Sequence, residues 1–184
     1  MKRTILGLFL LSAMISTAAA AKPAPTAASL MSDAIQKAKA QDKVVLVHFG
    51  ASWCSWCKRL DEMLQGKELG KLIANHFVLV HMTVQEHDKN KKLETPGADE
   101  LLALHGANKS GVPIFMFFDK TGGKLADSLA LPNRVNIGYP ATPEEVHAFE
   151  VILEKTAPRM SVAERSSIID YLKKHAPPQE SSAN

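Results

Sequence analysis

The chain has 184 residues, of which 46% are hydrophobic and 22% charged, with a formal net charge of +3. That is an ordinary globular composition, enough for one core and one domain. Charge this close to neutral gives no case for a nucleic-acid or acidic-membrane surface.

Lys2 and Arg3 precede the apolar run Ile5 to Ile15, "ILGLFLLSAMI", and the small-residue stretch "STAAAA". This charged, apolar, small-residue order predicts a secretory signal peptide over residues 1–20, cut at Ala20 or Ala21. The competing reading, a membrane anchor, needs roughly 20 apolar residues, more than this run supplies. No cysteine sits near the cut, so neither a lipid anchor nor any stable membrane anchor is expected. Removing Lys2 and Arg3 leaves 20 basic against 19 acidic residues. Export would place any thiols where disulfides form and persist.

"AKPAPTAAS", residues 21–29, reads as a Pro/Ala linker. From Leu30, the apolar positions Leu30, Ala34, Ile35 and Ala38 recur at helical spacing, up to Asp42 and Lys43. "VVLVHF" (Val44 to Phe49) is β-branched and almost continuously apolar, the pattern of a strand buried on both faces. "GAS" turns the chain into a helix starting around Cys54 and carrying Leu60, Met63 and Leu64, with Gly66 as its break. A helical turn or two covers Lys67 to Ala74. "FVLVHMTV" (Phe77 to Val84) predicts a second buried strand, and the polar stretch Gln85 to Gly97 a loop. "ADELLALHG" is a short helix ended by Gly106.

Two further strands, Ile114 to Asp119 and Gly123 to Leu131, are joined by the hairpin signal "DKTGG". Pro132 to Thr142 reads as irregular. Thr142-Pro143-Glu144-Glu145 and Ser161-Val162-Ala163-Glu164 are capping boxes that open two closing helices. The domain is expected over residues 30–176, with a flexible tail over 177–184. Helices alternating with strands, then a hairpin and helix, predict a layered α/β sandwich with a mixed sheet.

Cys54 and Cys57 are the only cysteines. As a structural staple they would close a loop worth only about 2 kcal/mol, a poor stabiliser. As half of a zinc site they would need His76 and His81, but residues at that spacing diverge both on a strand and on a helix. Copper(I) is a minor option because thiolates suit it. The residues favour a dithiol–disulfide redox pair. A buried strand delivers the chain to a helix start, where free amide N–H groups and the dipole stabilise thiolate. Cys54 is then the attacking sulfur, and Cys57, one turn inside, resolves the mixed disulfide. Trp53 and Trp56 flank the pair, as packing residues or as groups that meet substrate.

"VLVHFGASWCSWCK" resembles the active-site strand, turn and helix of the thioredoxin superfamily, with its W-C-x-x-C-K core. "GVPIFMFFDKTGGKL" (Gly111 to Leu125) resembles that superfamily's Gly-hydrophobic-Pro turn and following hairpin. The match runs from about Leu30 to Leu131. It implies a thioredoxin-like three-layer sandwich with a mixed central sheet, a cis bond at Val112-Pro113 beside the cysteines, and substrate backbone pairing at Val112.

Two departures stand out. The buried carboxylate many thioredoxins carry six residues before the first cysteine is here His48. Their partner lysine is here His81, by an ungapped reading. Either histidine could move protons for Cys57 or be a satisfied core residue. His76, His87, His105, His147 and His175 read as surface or packing residues. After Leu131 a minimal thioredoxin has one closing helix. Here Val162 to His175 adds another, which could pack or bind a partner.

The expectation is an exported, monomeric thiol–disulfide oxidoreductase. Its catalytic residues are Cys54, Cys57, Pro113 and His48, with Trp53, Trp56 and Val112 on substrate. No cofactor or metal is expected. Its partners would be proteins with thiols or disulfides and a redox partner protein. The rival is a non-catalytic binding module on the same fold, handling copper through the same thiols. Ser55-Trp56 supplies no cation to stabilise thiolate strongly, and no second dimerising domain is visible. A reductase is therefore preferred to an oxidase or an isomerase.

Overall fold

The computed structural model describes residues 24–177. The expected signal peptide and residues 178–184 of the tail lie outside them. β1 (Val44–Gly50) is the central reference. It pairs in parallel with β2 (Phe77–Thr83) and antiparallel with β3 (Ile114–Phe118), and β3 carries β4 (Lys124–Asp127) antiparallel at its far side. The sheet is mixed, in the order β2-β1-β3-β4.

The pleat of β1 sorts its side chains onto two faces. Val45, Val47 and Phe49 pack with Ala34 and Ala38 of α1 (Ala27–Gln41) and Leu102 of α4 (Ala98–Leu104). On the opposite face, Leu46 packs with Leu60 and Met63 of α2 (Ser55–Gln65), Ile73 of α3 (Gly70–His76), Phe149 of α5 (Pro143–Thr156) and Ile168 of α6 (Val162–His175). Helices on both faces of one sheet make the three-layer sandwich expected.

Three features of the fold depart from the sequence reading. First, α1 begins at Ala27, inside the segment read as linker. Thr26 accepts the Ser29 amide and Ser29 Oγ returns to the Thr26 amide, so a capping box forms with Ser in the place usually held by Glu or Gln. Second, β2 is an edge strand and not buried on both faces. Phe77, Val80 and Met82 are buried, while His81 is exposed. An apolar run does not by itself separate an edge strand from a central one. Third, β4 stops at Asp127, whose carboxylate accepts the Leu129 amide as the chain turns out of the ladder.

The closing helix α6 packs. Ile168, Ile169, Tyr171 and Leu172 are buried in the same core as α2 and α3, and His76 at the end of α3 lies 3.3 Å from Glu164 of α6. Ile168 has no exposed surface. Ile168→Ala is expected to cost about 2–5 kcal/mol in a denaturant titration, the range for a cavity left in a packed core. A loss below 1 kcal/mol would mean that α6 is only loosely docked.

Candidate functional site

The site lies where β1 ends against α2. Ala51 accepts the Cys54 amide, a tight turn that brings Cys54 to the N-cap of α2 in extended backbone, φ −83° and ψ 108°. From there Cys54 Sγ accepts the Cys57 amide at 3.0 Å, the contact by which a helix start stabilises sulfur charge. Cys54 and Cys57 form a disulfide. Both are buried, at 4% and 2% exposure, so depth alone does not tell them apart. Their neighbours do. Cys54 Sγ sits 3.7 Å from the carbonyl oxygen of Val112. Cys57 lines a separate cleft of about 330 Å³ with Lys58, Asp61, His81 and Glu86.

The Val112-Pro113 peptide is cis. Asn136, in the segment read as irregular, fixes this turn by donating its amide to the carbonyls of Gly111 and Pro113 at 2.7 and 2.9 Å. A groove of about 620 Å³ runs past the turn, lined by Trp56, Val112, Pro113, Val135 and Tyr139. Trp56 stacks on Tyr139 and is 40% exposed, and the Arg59 guanidinium lies over its ring, 5.2 Å from the centroid.

Trp53 is 49% exposed and held from one side. Its indole N–H donates to the Gln85 carbonyl, and its ring stacks on His87. Glu86 is buried at 2% exposure and accepts both the amide and the hydroxyl of Ser52 at 2.5 and 2.8 Å. The stretch Gln85 to His87 therefore clamps the turn that presents the cysteines.

His48 points from β1 toward α2 and is 1% exposed. Its Nδ1 lies 2.9 Å from Asp61 Oδ1, and His81 Nδ1 lies 3.5 Å from the same oxygen. His48 and His81 are register partners on the paired strands β1 and β2. Burial pushes the His48 pKa down, against the opposing pull of Asp61. Burial also pushes the Asp61 carboxyl up, but hydrogen bonds from His48 and His81 outweigh it and hold the group well below the usual carboxylate range. Asp61 is thus a carboxylate that can only accept, so His48 Nδ1 carries the proton. Nε2 is left as the bare nitrogen, and it has no hydrogen-bond partner among the described residues.

Of the described residues, His48, Asp61 and His81 are the one group whose spacing could hold a metal ion, with ligand atoms within 4.8 Å of one another. The short contact from Nδ1 to Oδ1 is already a hydrogen bond. His76 turns toward Glu164 on α6, so the zinc set weighed from sequence does not assemble.

The structure brings His48, Trp53, Cys54, Trp56, Cys57, Val112 and Pro113 together around one turn. Sequence reasoning missed Asp61, Glu86 and Asn136. Asp61 alone carried a signal: it lies one helical turn beyond Cys57 on the same face.

A redox disulfide at a helix start beside an X-Pro turn defines a thiol–disulfide oxidoreductase. The chain belongs to the thioredoxin-like family, whose model matches residues 26–120, a span that contains both cysteines and Pro113. Solved structures of similar fold include a disulphide isomerase from Xylella fastidiosa Temecula1, with 24% identity over 80% of this chain and 89% of that one, at a TM-score of 0.48. A thioredoxin-fold protein from Helicobacter pylori shares 24% identity over 72% of this chain and 86% of its own, at 0.40. The oxidised DsbD C-terminal domain from Neisseria meningitidis shares 21% over 56% and 83%, at 0.41. No curated protein matches the chain significantly. None of the described helices is long and apolar enough to cross a membrane.

The disulfide closes so short a loop that its entropic worth is about 2 kcal/mol. Dithiothreitol is expected to reduce it with the far-ultraviolet circular dichroism unchanged and the melting temperature lowered by no more than about 8 °C. Global unfolding on reduction would make the bond a structural staple.

Proposed function

We propose that the protein is an exported reductase of disulfides in other proteins. The Cys54 thiolate attacks a substrate disulfide, forming a mixed disulfide and expelling one substrate thiolate. The Cys57 thiol gives its proton to His48 Nε2, and the new thiolate attacks Cys54 Sγ. The second substrate sulfur leaves, and the Cys54–Cys57 disulfide remains. The substrate gains two electrons and the enzyme pair loses them, so a dithiol partner protein must reduce the pair again.

The observation that carries this reading is the different setting of the two sulfurs. Cys54 faces the Val112 turn and Cys57 the cleft with Asp61. Val112 and Pro113 shape the place where an extended substrate backbone lies, and Trp56 forms its apolar wall. Trp53, fixed beside Cys54, meets the substrate at the other edge. The charged, apolar, small-residue order of the first 20 residues supports export.

The direction of electron flow follows from how strongly thiolate is stabilised in the reduced form. Between the cysteines, Ser55 and Trp56 bring no cation. Equilibration with glutathione is expected to place the pair near the thioredoxin end of the scale, about −270 mV, rather than near the strong oxidants at about −120 mV. A potential near the oxidant end would reverse the direction and make the protein a disulfide donor.

A further inference from the structure

We infer that Asp61 is a positioning residue that makes His48 a base for Cys57. This rests on the reading of Cys57 as the resolving thiol. The inference starts from a buried imidazole whose two nitrogens meet different surroundings. Nδ1 is tied to Asp61 Oδ1 at 2.9 Å, whereas Nε2 is buried and unpartnered among the described residues.

Gly50 shows where Nε2 points. It lies two residues beyond His48 on the same face of β1. A Cβ added there would sit 3.2 Å from His48 Nε2 and 3.2 Å from the Cβ of Cys57. Its backbone does not fall in the left-handed region, so the glycine is needed for space. With no side chain at Gly50, the bare nitrogen and the Cys57 Cβ close in on the same small corner.

Asp61 performs two tasks at this corner. As a carboxylate it accepts from Nδ1–H and so fixes the tautomer that leaves Nε2 free to accept. When Nε2 takes the proton from the Cys57 sulfur, the ring becomes an imidazolium, and the same carboxylate stabilises that charge in a buried place where it would otherwise be costly. The proton then returns to the departing substrate thiolate or to solvent, and Cys57 sulfur forms its bond to Cys54 as the mixed disulfide breaks. The arrangement is a sulfur, imidazole and carboxylate in series, reached by α2 supplying both the sulfur and the carboxylate one turn apart.

The other groups around the imidazole do not replace this role. His81 of β2 touches the same Asp61 oxygen at the longer distance of 3.5 Å and is solvent-facing. Lys58 of α2 and Glu86 of the loop after β2 line the cleft, and Glu86 is already engaged by Ser52. Across β1, the β3 partner of His48 is Phe115, which does not titrate.

The test is single-turnover kinetics of Asp61→Asn, with formation and resolution of the mixed disulfide measured separately on a peptide disulfide. An asparagine amide can donate to Nδ1 and invert the tautomer. Resolution is expected to slow by about 10²-fold, with formation unchanged. The double variant with His48→Ala is expected to be no slower than His48→Ala alone. Asp61→Glu is expected to recover part of the rate.

Nitrogen-15 spectra of the wild-type imidazoles provide a second measure, independent of turnover. They are expected to show His48 protonated on Nδ1 and bare on Nε2 in the wild type, and the reverse in Asp61→Asn. Wild-type resolution in Asp61→Asn, or His48 protonated on Nε2 in the wild type, overturns the inference. Failure of the underlying reading looks different: Cys54 in the wild type would form no mixed disulfide, while the tautomer would still decide the role of Asp61.

Discussion

Cys57→Ala is expected to stop at a mixed disulfide with its substrate, while Cys54→Ala forms none and loses turnover to the uncatalysed level. The asymmetry comes from the surroundings of the two sulfurs. Cys54 caps α2 and receives the Cys57 amide at 3.0 Å, so its thiolate is stabilised by the helix start. It also stands beside the Val112 turn, where an incoming disulfide can approach. Cys57 is inside the first turn of α2 and lines the cleft with Asp61 and His81. Iodoacetamide should therefore alkylate Cys54 first in the reduced protein, at a pH below the ordinary thiol pKa of about 8.5. Mass spectrometry of trapped complexes and of the alkylated protein checks both statements. Equal trapping by the two variants, or alkylation of Cys57 first, would exchange the roles.

How far the sequence could be read depends on which interactions are local. The helix after Cys54 and the two capping boxes at Thr142 and Ser161 rest on contacts between near neighbours, the strand Val44 to Phe49 declares itself by its apolar run alone, and each appears in place. His48 and His81 could be aligned by counting, and the parallel register pairs them. What escaped was held by distant partners. Glu86 lies 34 residues from Ser52, and its burial comes from a loop folding back over the turn. Asn136 reaches Gly111 across 25 residues. His87, read as a surface or packing residue, is exposed and stacks on Trp53, a partner 34 residues away that the sequence did not name. A polar loop in sequence carries no mark of the element on which it will close. The edge position of β2 escaped for the same reason, since strand order is a long-range property.

His48→Ala is expected to slow the second chemical step by about 10²–10⁴-fold, the usual worth of a positioned base, and to leave the first step alone. The imidazole is buried and bare at Nε2, and burial holds its pKa below the ordinary 6.5. It therefore remains a neutral base as the pH falls to 6.5 and below. Without it, Cys57 must ionise unaided, and its thiolate fraction falls tenfold for each pH unit below about 8.5. The ratio of wild-type to variant rates should widen as the pH drops, until His48 itself takes up a proton. His48→Asp should restore much of the rate by placing a carboxylate where relatives have one. Linkage gives a separate signature. In the unfolded chain His48 protonates near 6.5, whereas in the fold it resists, so the wild type loses stability as the pH falls through 6.5. His48→Ala should flatten that slope whatever the residue does in catalysis. Kinetics and melting curves across pH thus separate the two roles. If both chemical steps keep wild-type rates while the melting temperature drops, His48 is a packing residue and the proton from Cys57 leaves by another route through the cleft.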